Sequence, residues 1–441
     1  MNLTKLNRTS KGLKTGFKTF LTVLGVLAGV VFSGVLKVPQ SQSRSVLYGP
    51  TVIEEIKKNN LIHQKRKLSK NTESAAPVNI SFSDSGTAEL VSLSGFSGLD
   101  DGKYFGVAEQ GEKVTFSFDP VLHQKAEELL KKFRVPWGAL VAIEPSTGRV
   151  LALAGHSEMQ PHESSFALKA SFPAASLFKI VTGAAAVETS GLSAHSEIKF
   201  RGGNYTLSKG NYLPSDRLDR RAMSLAEAMA KSCNPAFARV ALRNLDQSVL
   251  TQYAQGFGFN MSISSEFPLN RSSFDLPPDD YAFARTAAGF GDAFISPVHA
   301  AMLMSAIANG GTLFRPYIIE SVEDAQGALM YQAESIALRD SVLQSTAHEV
   351  LDMMRDTARS GTAKRAFSRR NSSGISIPSI AAKTGTLSGS APKGLYRWLV
   401  ASAPLKNPEI VIASLVIDPG HARINGVELG RHFLEFYFAN R

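Results

Sequence analysis

Three short stretches of this 441-residue chain carry side chains whose types and spacing could do nucleophilic chemistry. The first is Ser176-Leu177-Phe178-Lys179, which follows Phe172-Pro173 and leads into the Ala-rich stretch Ile180–Glu188. Spaced i and i+3 on a helix, Ser176 and Lys179 share one face and can touch. A serine hydroxyl attacks poorly unless a base stands within hydrogen-bond reach. A lysine becomes that base when burial and a neighbouring cation lower its pKa, and the apolar run after Lys179 supplies the burial. The second stretch is Ser232-Cys233-Asn234, expected inside a helical segment beginning near Leu225. Its hydroxyl could relay a proton, and its amide could hold a carbonyl. The third is Lys383-Thr384-Gly385-Thr386, at the end of an apolar strand. A glycine there lets a substrate backbone approach closely, and the lysine and hydroxyls suit a carboxylate.

Each pattern alone is weak, because the chain repeats it elsewhere. Ser196-Glu197-Ile198-Lys199 and Ser390-Ala391-Pro392-Lys393 match the first, Ser69-Lys70-Asn71 the second, and Lys14-Thr15-Gly16 the third. Only Ser176, Ser232 and Lys383 combine one order along the chain with a helix, helix, strand setting. Cys233 reads as a buried small residue rather than a second nucleophile. The nine histidines are scattered without the paired helical spacing of zinc sites, so neither a metal nor a cofactor is expected. The aromatic residues of Phe433–Phe438 are expected to pack a terminal helix.

The elements that must position these groups are legible in outline. Asp119-Pro120 opens an amphipathic helix to about Lys132, with Asp119 as N-cap and Pro120 in the first turn. Ala139–Glu144 and Val150–Ala154 form a hairpin through Pro145-Ser146-Thr147-Gly148. A long helical middle follows. Ile380–Thr386, Trp398–Ala403 and Ile410–Ile417 then read as strands, and Gly426–Asn440 as a closing helix. Helix, hairpin, helical insertion, three strands and helix make an α/β layered domain.

The formal charge of +10 suggests nucleic acid until it is located. Residues 1–70 carry 13 Lys/Arg and 2 Asp/Glu, leaving 35 and 36 for the rest, so the body is neutral and no nucleic-acid groove is expected. Thr19–Leu36 is a charge-free apolar run behind Lys5, Arg8, Lys11, Lys14 and Lys18. Its length as a helix, about 27 Å, is close to that of a bilayer core. The basic flank keeps the N-terminus cytoplasmic and exports the remainder. The expected organisation is a basic tail over 1–18, an uncleaved membrane anchor over 19–36, a stalk or small accessory region over 37–112, and a catalytic-sized domain over 113–441. A lipoprotein anchor is excluded, since the single cysteine, Cys233, lies far from the apolar run.

Taken in order, the three stretches resemble the signatures of the transpeptidase domain of penicillin-binding proteins, of the monofunctional, class B-like kind. The resemblance runs from about Val114 to Arg441. It includes Val114–Leu130 as the opening helix, Val141–Ala154 as the first hairpin, Ser296-Pro297 through Ala306–Gly311, the turn Ser360-Gly361-Thr362-Ala363, and the strands at Arg397–Pro404 and Ile410–Ile417. It implies a β-lactamase/D,D-transpeptidase-like fold, with a central antiparallel sheet flanked by helices and a helical subdomain. It implies Ser176 as the acylated nucleophile, Lys179 as its proton acceptor, Ser232 as a proton relay and Asn234 as a peptide ligand. Lys383, Thr384, Gly385 and Thr386 would hold the substrate's carboxylate end. Backbone N–H groups of Ser176 and Thr386 would form the oxyanion hole. The implied ligands are D-Ala-D-Ala stem peptides of peptidoglycan and β-lactams, the implied partner a glycan-polymerising synthase. The implied location is the cytoplasmic membrane, facing outward.

Two departures stand out. Ala174-Ala175 replace the Pro-Gly often found before the nucleophile, and Phe290 stands in Gly289-Phe290-Gly291 where a polar residue is common. D,D-carboxypeptidases and class D β-lactamases share the fold. Asn234 favours the penicillin-binding side, since class D enzymes usually carry an aliphatic residue there. A non-catalytic β-lactam sensor or a scaffold for a division or elongation complex is a further alternative.

Overall fold

The structure, a computed structural model, describes residues 80–82, 88–90, 96–161, 165–368 and 377–441. The chain divides into the units Met1–Gly49 and Pro50–Arg441, and every described residue belongs to the second. The expected anchor at Thr19–Leu36 lies outside the described residues. Among those residues no helix is long and apolar enough to cross a membrane.

After a short antiparallel pair, Ile80–Phe82 with Ala88–Leu90, come strands β1 (Gly98–Asp100), β2 (Lys103–Val107) and β3 (Lys113–Phe116). Asp119 then caps α1 (Pro120–Lys132), its carboxylate accepting from the N–H groups of Val121 and Leu122. Pro120 occupies the first turn, where its missing N–H costs nothing. The hairpin β4 (Trp137–Ile143) and β5 (Val150–His156) follows. The helical subdomain begins with a 3₁₀ turn, Ala175–Phe178, that runs into α2 (Lys179–Ser190). After β6 (Glu197–Phe200) and β7 (Arg221–Ser224) come α3 (Leu225–Ala230), α4 (Asn234–Asn244) and later α5 (Pro297–Ala308). The chain continues through β8 (Ile319–Glu323), β9 (Leu329–Gln332), α6 (Gln344–Arg359) and α7 (Lys364–Phe367). It closes with β10 (Ala381–Ser390), β11 (Lys393–Ala403), β12 (Ile410–Asp418) and α8 (Gly426–Ala439).

The main sheet is antiparallel in the order β10-β11-β12-β4-β5. The continuous apolar run of β12 is explained by helices on both faces. Val411, Ala413, Leu415 and Ile417 join the core cluster that holds α5, whose residues are all buried. Ile410, Ile412 and Val416 join the cluster formed with α1 and α8. Ser414 breaks the run, and its hydroxyl donates to the carbonyl of Gly426 at 2.7 Å. A Cβ at Gly426 would stand 2.1 Å from the carbonyl oxygen of Arg397, so only glycine lets α8 rest directly on β11. This is the mixed α/β architecture expected, with helices on both sides of an antiparallel sheet.

A second antiparallel sheet runs β9-β8-β3-β2-β1. Val322 of β8 faces Val114, and Phe105 of β2 faces Thr115. One sheet therefore joins residues on both sides of the boundary that composition draws at 112/113.

Two local expectations change. Ser232 does not lie inside a helix: α3 stops at Ala230, Ser232 adopts φ 53°, and α4 starts afresh at Asn234. Pro235, in the first turn of α4, has no N–H to continue the earlier helix. The strand carrying Lys383 also runs on to Ser390, where Ser390 and Lys393 form the last pair of the β10–β11 hairpin.

The sheet holds the Ser176 turn through Trp398, which is fully buried and donates from Nε1 to the carbonyl of Pro173 at 3.0 Å. Trp398→Phe keeps most of the packing but leaves that carbonyl without this donor. The expected loss is about 1–3 kcal/mol, seen as a lower Tm in thermal unfolding; an unchanged Tm would remove this bond from the account.

Candidate active site

Ser176 lies in the 3₁₀ turn and Lys179 is the first residue of α2. In a 3₁₀ turn residues i and i+3 eclipse, which brings Ser176 Oγ to 2.8 Å from Lys179 Nζ. The contact expected from the spacing is present, on a tighter turn than an α-helix. Lys179 is fully buried. Its Nζ also lies 2.8 Å from Asn234 Oδ1 and bonds to the carbonyl oxygen of Ala288. Those two partners can only accept, so they take two N–H bonds of the amine. A neutral amine then has only its lone pair left for the Ser176 hydroxyl. Burial first, and the Lys383 ammonium second, hold Lys179 well below the ordinary lysine range, which favours that neutral form.

The turn is strained where the sequence departs from the family pattern. Ala175 adopts φ 49°, the left-handed region that costs an alanine about 1–2 kcal/mol. Gly289, at φ 87°, packs against it: a Cβ there would stand 2.3 Å from the Ala175 carbonyl oxygen. The adjoining carbonyls are both used, Ala287 O accepting from Thr182 Oγ1 at 2.9 Å and Ala288 O from Lys179.

Ser232 and Lys383 form the second half of the network. Lys383 Nζ donates to Ser232 Oγ at 2.9 Å and to its neighbour's carbonyl, Thr384 O, at 2.8 Å. Burial pushes the Lys383 amine down to about 7. Asn234 sits between the halves, its Oδ1 on Lys179 and its Nδ2 donating to Tyr205 O at 2.9 Å. Thr384 Oγ1 lies 2.6 Å from Thr362 Oγ1 in the Ser360–Ala363 turn. That turn fits under α3 because a Cβ at Gly361 would stand 2.2 Å from Ala230 O. All three sequence stretches therefore line one cavity of about 590 Å³, through Ser176, Ser232, Asn234, Thr384, Gly385 and Thr386.

The sequence profile of the penicillin binding protein transpeptidase domain matches residues 138–429. The chain belongs to this family. It is 28% identical over 343 residues to the peptidoglycan D,D-transpeptidase PbpA of Mycobacterium tuberculosis, a match covering 70% of this chain and 67% of that protein. The structure of penicillin-binding protein A from M. tuberculosis, solved as a penicillin G acyl-enzyme complex, superposes with a TM-score of 0.61 at 25% identity, covering 75% of this chain and 81% of that one. The D,D-transpeptidase domain of a peptidoglycan glycosyltransferase from Eggerthella lenta shares the fold, with a TM-score of 0.62 at 24% identity over 81% of this chain and 94% of that one.

In this penicillin-binding transpeptidase domain the two decoy motifs among the described residues stay apart from the cavity's chemistry. Ser196 accepts from its own loop at Ser193 N, while Lys199 pairs with Glu197 on β6. Ser390 and Lys393 are exposed at the hairpin tip. Cys233 is buried, and burial raises its thiol pKa. Among the described residues no group of His, Cys, Asp or Glu is placed to hold a metal ion.

The cavity also uses residues that the motifs do not name. Arg397 stands directly opposite Thr386 in the β10–β11 register and lines the cavity, with Asp418 at 3.9 Å as its ion-pair partner. Arg365 on α7 and Glu428 in the first turn of α8 line the same region. Phe290 forms part of the wall, with the Arg285 guanidinium 5.3 Å from its ring centre. Counting back from the closing pair Ser390–Lys393 would have found Arg397; nothing local marks the others.

Two outcomes follow from the strain and the buried charge. Ala175→Gly keeps the turn and relieves its left-handed alanine, so the variant should be more stable by ~1 kcal/mol, read as a higher Tm. The unfolded chain protonates Lys383 below 10.5, whereas the folded protein resists until about 7. Over that window the unfolded state holds the extra proton, so stability falls as pH drops and levels off below it. Lys383→Met should therefore exceed the parent in Tm most clearly at neutral pH, with the gap closing toward pH ~10. A gap independent of pH would show that Lys383 is not buried as a depressed amine.

Proposed function

We propose that this chain is a membrane-anchored D,D-transpeptidase that cross-links peptidoglycan stem peptides outside the cytoplasm and is inhibited by β-lactams. One observation carries the reading: the Ser176 hydroxyl lies 2.8 Å from a buried amine whose other partners are both acceptors. The anchor is the apolar run 19–36, and the basic residues before it face the cytoplasm.

The reaction runs as acyl transfer. A stem peptide ending in D-Ala-D-Ala lies along the open edge of β10. Its carboxylate meets Thr384 and Thr386, with the charges of Lys383, Arg397 and Arg365 behind them. Lys179 takes the Ser176 proton as Oγ attacks the carbonyl carbon of the penultimate D-Ala. The backbone N–H groups of Ser176 and Thr386 hold the oxyanion, a contribution often of about 3 kcal/mol per donor. Collapse breaks the peptide bond, and the leaving amine of the terminal D-Ala takes its proton through Ser232, which Lys383 orients. The amine of a second stem peptide then attacks the Ser176 ester, gives up its proton, and releases the serine. A β-lactam enters by the same attack on its ring carbonyl. A glycan-polymerising synthase is the partner that would supply strands bearing these peptides.

Labelling with a fluorescent penicillin tests the assignment. The parent protein and Ser196→Ala should become labelled, and Ser176→Ala should not. Label that persists in Ser176→Ala would refute the nucleophile, and label lost within seconds would point to a hydrolytic β-lactamase instead.

A further inference from the structure

Between β6 and β7 the chain makes an excursion over residues 201–220 that the catalytic scheme leaves unused. Its shape is fixed by a buried ion pair. Arg239 on α4, five residues after Asn234, places Nε 2.6 Å and Nη2 2.9 Å from the two carboxylate oxygens of Asp219. Both side chains are 0% exposed. The same guanidinium donates to the carbonyls of Asn211, at 2.9 Å, and Tyr212. Asp219 also accepts from Ser215 N at 3.0 Å and from Arg201 at 3.2 Å. Burial raises the Asp219 carboxyl, but Arg239, the Ser215 N–H and Arg201 outweigh it and keep the group below the ordinary carboxylate range.

The loop's other attachment is to the catalytic network itself. The backbone N–H of Asn234 donates to Asn204 O at 2.7 Å, and its side-chain amide donates to Tyr205 O at 2.9 Å. That second bond fixes which way the amide faces, leaving Oδ1 for Lys179. One segment of α4, from Asn234 to Arg239, thus grips the loop at both 204–205 and 211–219. A buried ion pair is weak evidence for stability; here it gives a long polar loop one geometry. What the loop presents is Tyr205, 64% exposed, whose side chain has no ring or hydrogen-bond partner among the described residues and which lines the catalytic cavity. A tyrosine in such a place offers large contact area at the cost of two side-chain rotations.

Given the reading of the cavity as a stem-peptide site, we infer that the 201–220 loop is a peptide-recognition element. Tyr205 is its specificity-determining residue, closing over the stem peptide from the wall facing β10, and Asp219 and Arg239 are positioning residues that hold it there. An extended peptide reaches past Ser176 and meets Tyr205, whereas a small β-lactam sits mainly over the nucleophile. The loop therefore distinguishes peptide donors from small acylating agents.

The test uses the full chain in detergent, with two readouts: the second-order rate of acylation by a small fluorescent penicillin, and D-Ala release from a stem pentapeptide ending in D-Ala-D-Ala. Tyr205→Ala should raise the peptide KM about tenfold with little change in kcat, while penicillin acylation slows no more than about threefold. Tyr205→Phe should stay near the parent in both. Asp219→Asn, provided circular dichroism shows it folded, should weaken peptide use as Tyr205→Ala does and slow penicillin acylation further, because Asn234 loses its support. A peptide KM unchanged in Tyr205→Ala, or equal losses for peptide and penicillin, would overturn the recognition role. A parent protein that takes no penicillin label would instead overturn the reading of the cavity on which it rests.

Discussion

A lysine amine buried behind a cavity wall cannot easily carry charge, and the rest of this site is arranged around that constraint. Removing an ammonium from water costs several kcal/mol even after relaxation, so the group lowers its pKa instead. Lys179 and Lys383 are both fully buried, and the Lys383 charge adds to what burial does to Lys179. The outcome differs between them because their partners differ. Lys179 faces two acceptors and one hydroxyl; Lys383 faces a hydroxyl and a carbonyl beside an open cavity. The first arrangement suits a base and the second suits a cation waiting for an anion. Two copies of one residue type thus stand in environments suited to opposite roles.

The fold's contribution is to keep that geometry from relaxing. The Ser176 turn is held from below by Trp398 through Pro173 O, from one side by Gly289 against Ala175, and from within by Thr182 and Lys179 bonding to consecutive carbonyls, 287 and 288. Ser232 is held at a left-handed break between two helices rather than along one, so its hydroxyl can meet Lys383 from β10 while Asn234 starts a new helix toward Lys179. A continuous helix would have turned these neighbours about 200° apart around its axis. The break lets two nearby side chains serve the two lysines.

What the sequence discloses follows the range of the interactions involved. The apolar run Ile410–Ile417, the cap at Asp119 and the i, i+3 pair Ser176–Lys179 are local, and the structure contains each of them. The break at Ser232 was also local, since Pro235 marks it, but a helical hydrophobic pattern on both sides hid it. Arg397 becomes visible only when the hairpin turn fixes the register, and Ser390–Lys393, a false nucleophile motif, was the pair that fixes it. The Arg239–Asp219 strut joins residues 20 apart through a loop without periodic pattern, so nothing in the linear text announces it. The pairing of β3, Lys113–Phe116, with β8 spans some 200 positions and is likewise beyond local reading.

Several costly features of this chain lie near one cavity. Left-handed Ala175 before Ser176, left-handed Ser232, two buried amines and a buried ion pair all lie close to it. Elsewhere the strands are apolar where both faces are covered, and helices such as α1, α4 and α8 start with caps or prolines in place. Local rules broken together beside one cavity are what a site built for chemistry rather than folding would show. The Asp219–Arg239 pair fits this distribution. A solvent-exposed loop with no function would gain nothing from a desolvated charge pair that hydrophobic residues could replace at equal or better stability. Its presence beside Asn234, and not at some remote loop, ties its cost to the orientation of the amide that faces Lys179.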